Sequence, residues 1–170
     1  MKRRGFTVVE LIITVTIMGI LLTLAVVNLN STQVGARDTE RKEDVAALAT
    51  NLEAYYRNGV ESSTIIGRYP STGIAVSGET SVRTSLRDID FKSVTAPGAT
   101  GVADTLVSAT NAVQTTSGVV PQPTISQYVY QPLQADGTLC TAGNQECRKF
   151  NIFYRLESDN TVNMVTSKNQ

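Results

Sequence analysis

Histidine and tryptophan are absent from this 170-residue chain, and only two cysteines occur. Without histidine, imidazole acid–base chemistry, Ser-His and Cys-His nucleophile pairs, and most zinc or non-haem iron sites are excluded. Cys140 and Cys147 cannot build a zinc site by themselves. Proline is missing before Pro70, so nothing in the first third breaks a helix outright. Excess charge of either sign is missing too: 15 Lys and Arg balance 15 Asp and Glu. Beyond the N-terminus the basic residues form no cluster, so a basic face for DNA is not indicated. With no clustered carboxylates, the expectation is a protein that is not an enzyme and holds no cofactor or metal.

What the chain does have is concentrated at its start, MKRRGFTVVELIITVTIMGILLTLAVVNLN. Residues 6–29 contain a single charge, Glu10, and the next one after it is Arg37. As a helix this run would be about 36 Å long, enough for a bilayer core of about 30 Å. Lys2, Arg3 and Arg4 should remain cytoplasmic, which puts the rest of the chain outside. A cleaved secretory signal would be shorter and end at a small-x-small site, which is lacking here. The Arg3-Arg4 pair also resembles a twin-arginine signal, and the same missing site counts against it. A plain anchor leaves Glu10 unexplained, since a carboxylate costs about 2.5–3.5 kcal/mol at mid-membrane and less near the interface.

Gly5-Phe6-Thr7-Val8-Val9-Glu10-Leu11 resembles the cleavage and methylation motif of type IV prepilins and of type II secretion pseudopilins. The resemblance implies cytoplasmic cleavage between Gly5 and Phe6 by a prepilin peptidase, after a basic leader of Lys2, Arg3 and Arg4, and N-methylation of Phe6. It also implies that Glu10 of one subunit neutralises the Phe6 amine of a neighbour in a filament. A buried charge is tolerable with such a partner. Gly19 matches a glycine common in pilin helices, whereas Val27 stands where many members carry proline. Close helix packing is an equal explanation of Gly19.

Further along, Val45, Leu48, Leu52 and Tyr55/Tyr56 recur at helical spacing. The charge run 37–44 reads as a solvated face, with Asp38–Lys42 and Glu53–Arg57 as i,i+4 pairs. One helix is therefore expected from Phe6 to about Asn58, stopped by Gly59. Its end, followed by Tyr69-Pro70, resembles the helix-to-loop region of pilins, with a longer gap here over residues 60–68. Residues 60–124 show weak periodicity. Residues 85–91 suggest a short helix or turn, and Leu106, Val107, Val113, Val119 and Val120 are candidate core contacts. Residues 125–131, a run built on Phe150, Ile152, Tyr154 and Leu156, and residues 161–166 read as three strands of an antiparallel meander. Exported Cys140 and Cys147 are expected to form a disulfide; two buried free thiols are the alternative. Asp136, Glu146 and Asp159 offer oxygen ligands, but their spacing matches no calcium loop.

The expected fold is α+β: a long N-terminal helix packed on a small antiparallel sheet. The expected divisions are a leader (1–5), a transmembrane and assembly helix (6–29), its amphipathic continuation (30–58), a variable region (59–124) and a sheet with a disulfide loop (125–170). By resemblance the chain is a filament subunit that starts in the cytoplasmic membrane and ends at the cell surface. Its implied partners are copies of itself, other pilins, the peptidase, and the pilus assembly platform with its ATPase. Motility, adhesion and DNA uptake are the roles open to such a filament. A secretion pseudopilin and a monomeric membrane-anchored binding module are the alternatives; the long variable region and the cysteine pair lean toward a pilus.

Overall fold

A computed structural model of the chain describes residues 5–59, 66–76, 78–86, 89–99 and 105–169. Helix α1 runs unbroken through Val8–Asn58, 51 residues, about 76 Å. Thr7 begins it as N-cap, its hydroxyl accepting from the Glu10 amide at 3.3 Å. Gly59 ends it at φ 64°, donating its amide to the Tyr55 carbonyl at 2.8 Å. That conformation is disfavoured for residues with a Cβ, which is why the stop falls where the glycine does.

Two short helices, α2 (Gly73–Val76) and α3 (Gly78–Ser85), and a 3-10 turn (Phe91–Val94) follow. Then come β1 (Leu106–Ser108), β2 (Tyr128–Gln134), β3 (Cys147–Arg155) and β4 (Val162–Thr166). They form one sheet in the order β1-β2-β3-β4. The meander β2-β3-β4 is antiparallel as expected, while β1 adds to β2 in parallel and makes the sheet mixed. The 60–124 stretch supplies this extra strand, a contribution its weak periodicity did not disclose. β2 starts three residues later than residues 125–131 suggested and continues through Pro132. Proline is tolerated there because β1 ends opposite Tyr130. The Pro132 carbonyl turns away from β3 and accepts from the Cys140 amide at 2.9 Å.

The sheet is covered on both faces. Toward α1, Tyr128, Tyr130, Phe150, Ile152 and Tyr154 pack with Val45, Leu48 and Leu52. Burying each of those helix residues is worth about 1.5–3 kcal/mol. On the far face Val129 and Phe153 meet Ala109 and Val119 in a smaller core. Residues 109–123 fold over that face. Gln131 donates to the carbonyls of Asn111 (2.8 Å) and Val113 (3.1 Å), and accepts from Asn151 (2.8 Å). At Gly118 an added Cβ would collide with the Val113 side chain and the Thr115 hydroxyl. Of the candidate core residues, Leu106 and Val119 are buried and Val107 is partly so, whereas Val113 and Val120 are exposed.

The charge run corrects the expectation of a solvated face. Asp38, Arg41 and Asp44 are buried against the sheet; Lys42 and Glu43 stay in solvent. Arg41 is 1% exposed. Its guanidinium donates to Asp38 at 2.9 Å, Glu157 at 3.2 Å and the Ile125 carbonyl at 2.9 Å. Arg37 grips Glu157 through both carboxylate oxygens, at 2.8 and 2.6 Å. Asp38 accepts the amides of Glu157 (2.7 Å) and Ser158 (3.0 Å). Burial opposes the Asp38 charge, but those amides and Arg41 outweigh it and hold its pKa at about 2. Asp38 thus pairs with Arg41 and the β3–β4 turn, where Lys42 was expected.

Glu53 likewise departs from its expected Arg57 partner. It accepts from the Tyr69 hydroxyl (3.0 Å), the Lys168 amide (2.7 Å) and Asn169 (2.9 Å), tying the C-terminal tail to α1.

Cys140 and Cys147 are bonded, with Cα atoms 5.7 Å apart. Their backbones hold the 66–72 segment: the Cys147 carbonyl accepts from Tyr69 at 2.8 Å and the Cys140 carbonyl from Thr72 at 3.0 Å. Tyr69 seats edge-on against Phe150, ring centroids 4.8 Å apart. Asp136, Glu146 and Asp159 do not converge. Asp136 and Asp159 accept from Thr138 and Thr161 in their own turns, and Glu146 pairs with Arg148. Among the described residues no group of three acidic or cysteine ligands comes together.

Replacing Arg41 by Met should destabilise the full chain by about 3 kcal/mol in denaturant unfolding, because Asp38 stays buried without its cationic partner and the Ile125 carbonyl loses its donor. A loss under about 1 kcal/mol would show that Arg41 does not hold helix to sheet.

Asp44 is pushed up from 3.8 to about 6, chiefly by burial, with the Tyr128 hydroxyl at 2.9 Å pulling the other way. The folded state therefore binds the extra proton, and this contribution to stability is present below about pH 4 and lost as pH rises through 6. Asp44→Asn, which keeps an acceptor for Tyr128, should remove that slope; wild type and variant giving parallel stability curves from pH 4 to 6.5 would refute the assignment.

The Cys140→Ser, Cys147→Ser double variant should lose roughly 2–3 kcal/mol, the chain-entropy value for so short a loop. Alkylation mass mapping of the unreduced protein should find no free thiol.

Candidate functional site

The N-terminal half of α1 lies apart from this packing. Its 18-residue apolar window has a mean hydropathy of 2.4, and none of it is buried within the chain. Val8, Leu11, Val15, Met18, Leu22 and Leu29 are all exposed. The helix is long and apolar enough to cross a membrane.

Its threonines do not interrupt the apolar surface. Thr14 donates to the Leu11 carbonyl at 2.8 Å, Thr16 to Ile13 at 2.8 Å, and Thr23 to Ile20 at 2.7 Å. Each hydroxyl is satisfied along its own helix, which lipid or a packed helix partner demands. The same demand explains why a segment dense in β-branched residues is helical: in apolar surroundings, backbone groups have no other partners.

At its start, Gly5 has open space where a Cβ would be. Phe6 is 86% exposed. Both precede the first helical turn and are exposed. Glu10 sits in that turn, three residues after the Thr7 cap, with its carboxylate in the open. Capping by Thr7 leaves this carboxylate unneeded for the chain's own helix start, so it is available to another cation near the positive end of the helix dipole. The structure thus places Phe6 and Glu10 about one turn apart on the exposed end of α1. Lys2, Arg3 and Arg4 lie outside the described residues. At Gly19 nothing lies within 4 Å of an added Cβ, so no close contact among the described residues calls for glycine there.

Sequence reasoning missed the residues that aim this helix. Asp38 and Arg41 continue the Val45, Leu48, Leu52 series toward the N-terminus at alternating steps of three and four. That register was the available signal; their charge masked it. Glu157, Tyr128 and the Ile125 carbonyl, which complete the seam, carry no local signal.

Residues 1–26 match the family model of the prokaryotic N-terminal methylation motif. No curated protein and no solved structure matches the chain. The motif overlies the exposed end of α1, and the head beyond it has the layout of a pilin: a long helix with a small sheet packed on its C-terminal half. This motif is the hallmark of type IV pilin and pseudopilin prepilins, and together with the apolar helix it fits a membrane-anchored precursor of that pilin-like or pseudopilin kind.

Proposed function

We propose that this protein is a structural subunit of a type IV pilus-like filament. A prepilin peptidase cuts between Gly5 and Phe6 behind the Lys2-Arg3-Arg4 leader, and Phe6 is N-methylated. The observation that carries the reading is the helix itself: roughly half of α1 is apolar, continuous and without a packing partner among the described residues. Such a surface is stable in lipid or against copies of itself, and the exposed Phe6 and Glu10 stand at its end. Transfer from membrane to filament exchanges one apolar environment for another. The Phe6 amine of one subunit and Glu10 of the next then compensate each other's charge. An assembly platform and its ATPase supply the work of extraction. The long 60–124 stretch and the disulfide favour a pilus over a secretion pseudopilus.

Filaments sheared from native cells, digested and analysed by mass spectrometry, should yield a peptide beginning at N-methylated Phe6. Glu10→Ala should leave that cleavage intact in the membrane fraction and lower filament yield at least tenfold. Recovery of the chain only in membranes, still starting at Met1, would overturn processing. Normal filament yield from the variant would overturn the charge pairing alone.

A further inference from the structure

On the flank of the head, between the C-terminal end of α1 and the 68–74 segment, lies a small open cavity of about 230 Å³. Tyr55, Arg68, Ser71 and Ser85 line it, beside Pro70 and Ile74. None of those four polar side chains hydrogen-bonds or ion-pairs with another described residue. The contrast with the rest of the head is plain. Arg37, Arg41, Arg148 and Arg155 each hold a carboxylate or carbonyl of the chain. Arg68 is half-buried and holds none among the described residues. Among the described residues that line the cavity there is no carboxylate, and the one formal charge they carry is that of Arg68. Burial raises the Tyr55 pKa and the nearby Arg68 charge pulls it down, which places the two groups within electrostatic reach.

The cavity is also firmly built. Tyr69 and Pro70 are buried beneath it. The Pro70 carbonyl accepts from the Tyr130 hydroxyl at 2.7 Å. The segment is pinned on either side through Tyr69 and Thr72 to the backbones of the bonded cysteines. An arginine fork takes a carboxylate through two parallel hydrogen bonds. Neighbouring hydroxyls suit a ligand that carries its own hydroxyls, and Pro70 with Ile74 offers an apolar face for a ring. Typical pockets for drug-sized ligands are larger, roughly 300–1,000 Å³, so this one suits a single small ring.

We propose that this cavity is a binding site for an acidic monosaccharide, a sugar ring bearing a carboxylate. Arg68 holds the carboxylate, Tyr55 and the two serines hold ring hydroxyls, and Ile74 and Pro70 cover the ring's apolar face. The site is independent of processing and assembly, since it uses no residue of the N-terminal motif.

Ligand-observed NMR titration of the full-length chain in detergent micelles tests it, with glucuronate, glucose and inorganic phosphate as probes. Glucuronate should bind saturably, and at least tenfold more tightly than either glucose or phosphate. Arg68→Gln should weaken glucuronate at least tenfold, and Tyr55→Phe severalfold, while Arg57→Gln, at an exposed position in the last turn of α1, should change nothing. Arg68 and the Tyr55 hydroxyl make no hydrogen bond within the described chain, so the variants should unfold like wild type, which thermal melts verify. Four results would each overturn the proposal: no saturable glucuronate binding, equal binding of glucose, phosphate binding as tight as glucuronate, or an Arg68→Gln variant that binds like wild type.

Discussion

Everything in the head depends on one buried cation. Arg41 sits inside the helix–sheet interface, and a guanidinium taken out of water is tolerable only when its donors are spent. Asp38, Glu157 and the Ile125 carbonyl spend them. Those three come from α1, from the β3–β4 turn and from the approach to β2. Satisfying a single charge therefore fixes where the sheet meets the helix. Below this seam, Val45, Leu48 and Leu52 meet the aromatic face of β2 and β3, and at the far end Glu53 secures the tail. Apolar burial supplies most of the energy. The polar contacts at both ends choose one register for it, because a shift by a helical turn would strand each charge.

The seam also divides α1 into two parts with different solvents. From Asp38 onward the helix has a sheet to pack on. Before Leu29 it packs on nothing among the described residues, and Thr14, Thr16 and Thr23 turn their hydroxyls back on the helix's own backbone. One continuous helix thus joins an apolar environment to an aqueous one. The rigidity of the head–helix joint fixes the direction in which the head projects from whatever holds the apolar half.

The variable stretch is where tertiary structure contributes most. Residues 109–123 carry polar loop chemistry and little periodicity, yet they cover Val129 and Phe153. They do so by giving up backbone carbonyls to Gln131, so a buried amide substitutes for a strand's ladder. β1 adds only three residues to the sheet, too few for alternation to register. Val113 and Val120 flank the buried Val119 but face out, because the turn around Gly118 directs one valine inward and leaves its neighbours in solvent.

The sequence by itself determined the α+β class, the helix with its stop at Gly59, the three antiparallel strands and the cysteine pair. Each rests on a local signal: an apolar run, a glycine with its conformational freedom, alternation, or two thiols exported together. The candidate processing residues were legible for the same reason, since Gly5, Phe6 and Glu10 lie within six positions of one another. Only the tertiary structure decided that Asp38, Arg41 and Asp44 are interior, that β1 joins in parallel, and that Arg68 holds no carboxylate or carbonyl among the described residues. Whether a charge is buried or solvated depends on what stands opposite it. For these residues the opposing groups lie far along the chain: Glu157 is 116 residues from Arg41, and Tyr128 is 84 from Asp44. No local pattern encodes such distances. They are set by how one helix and one sheet together bury apolar surface while giving each of these buried charged side chains a hydrogen-bond partner.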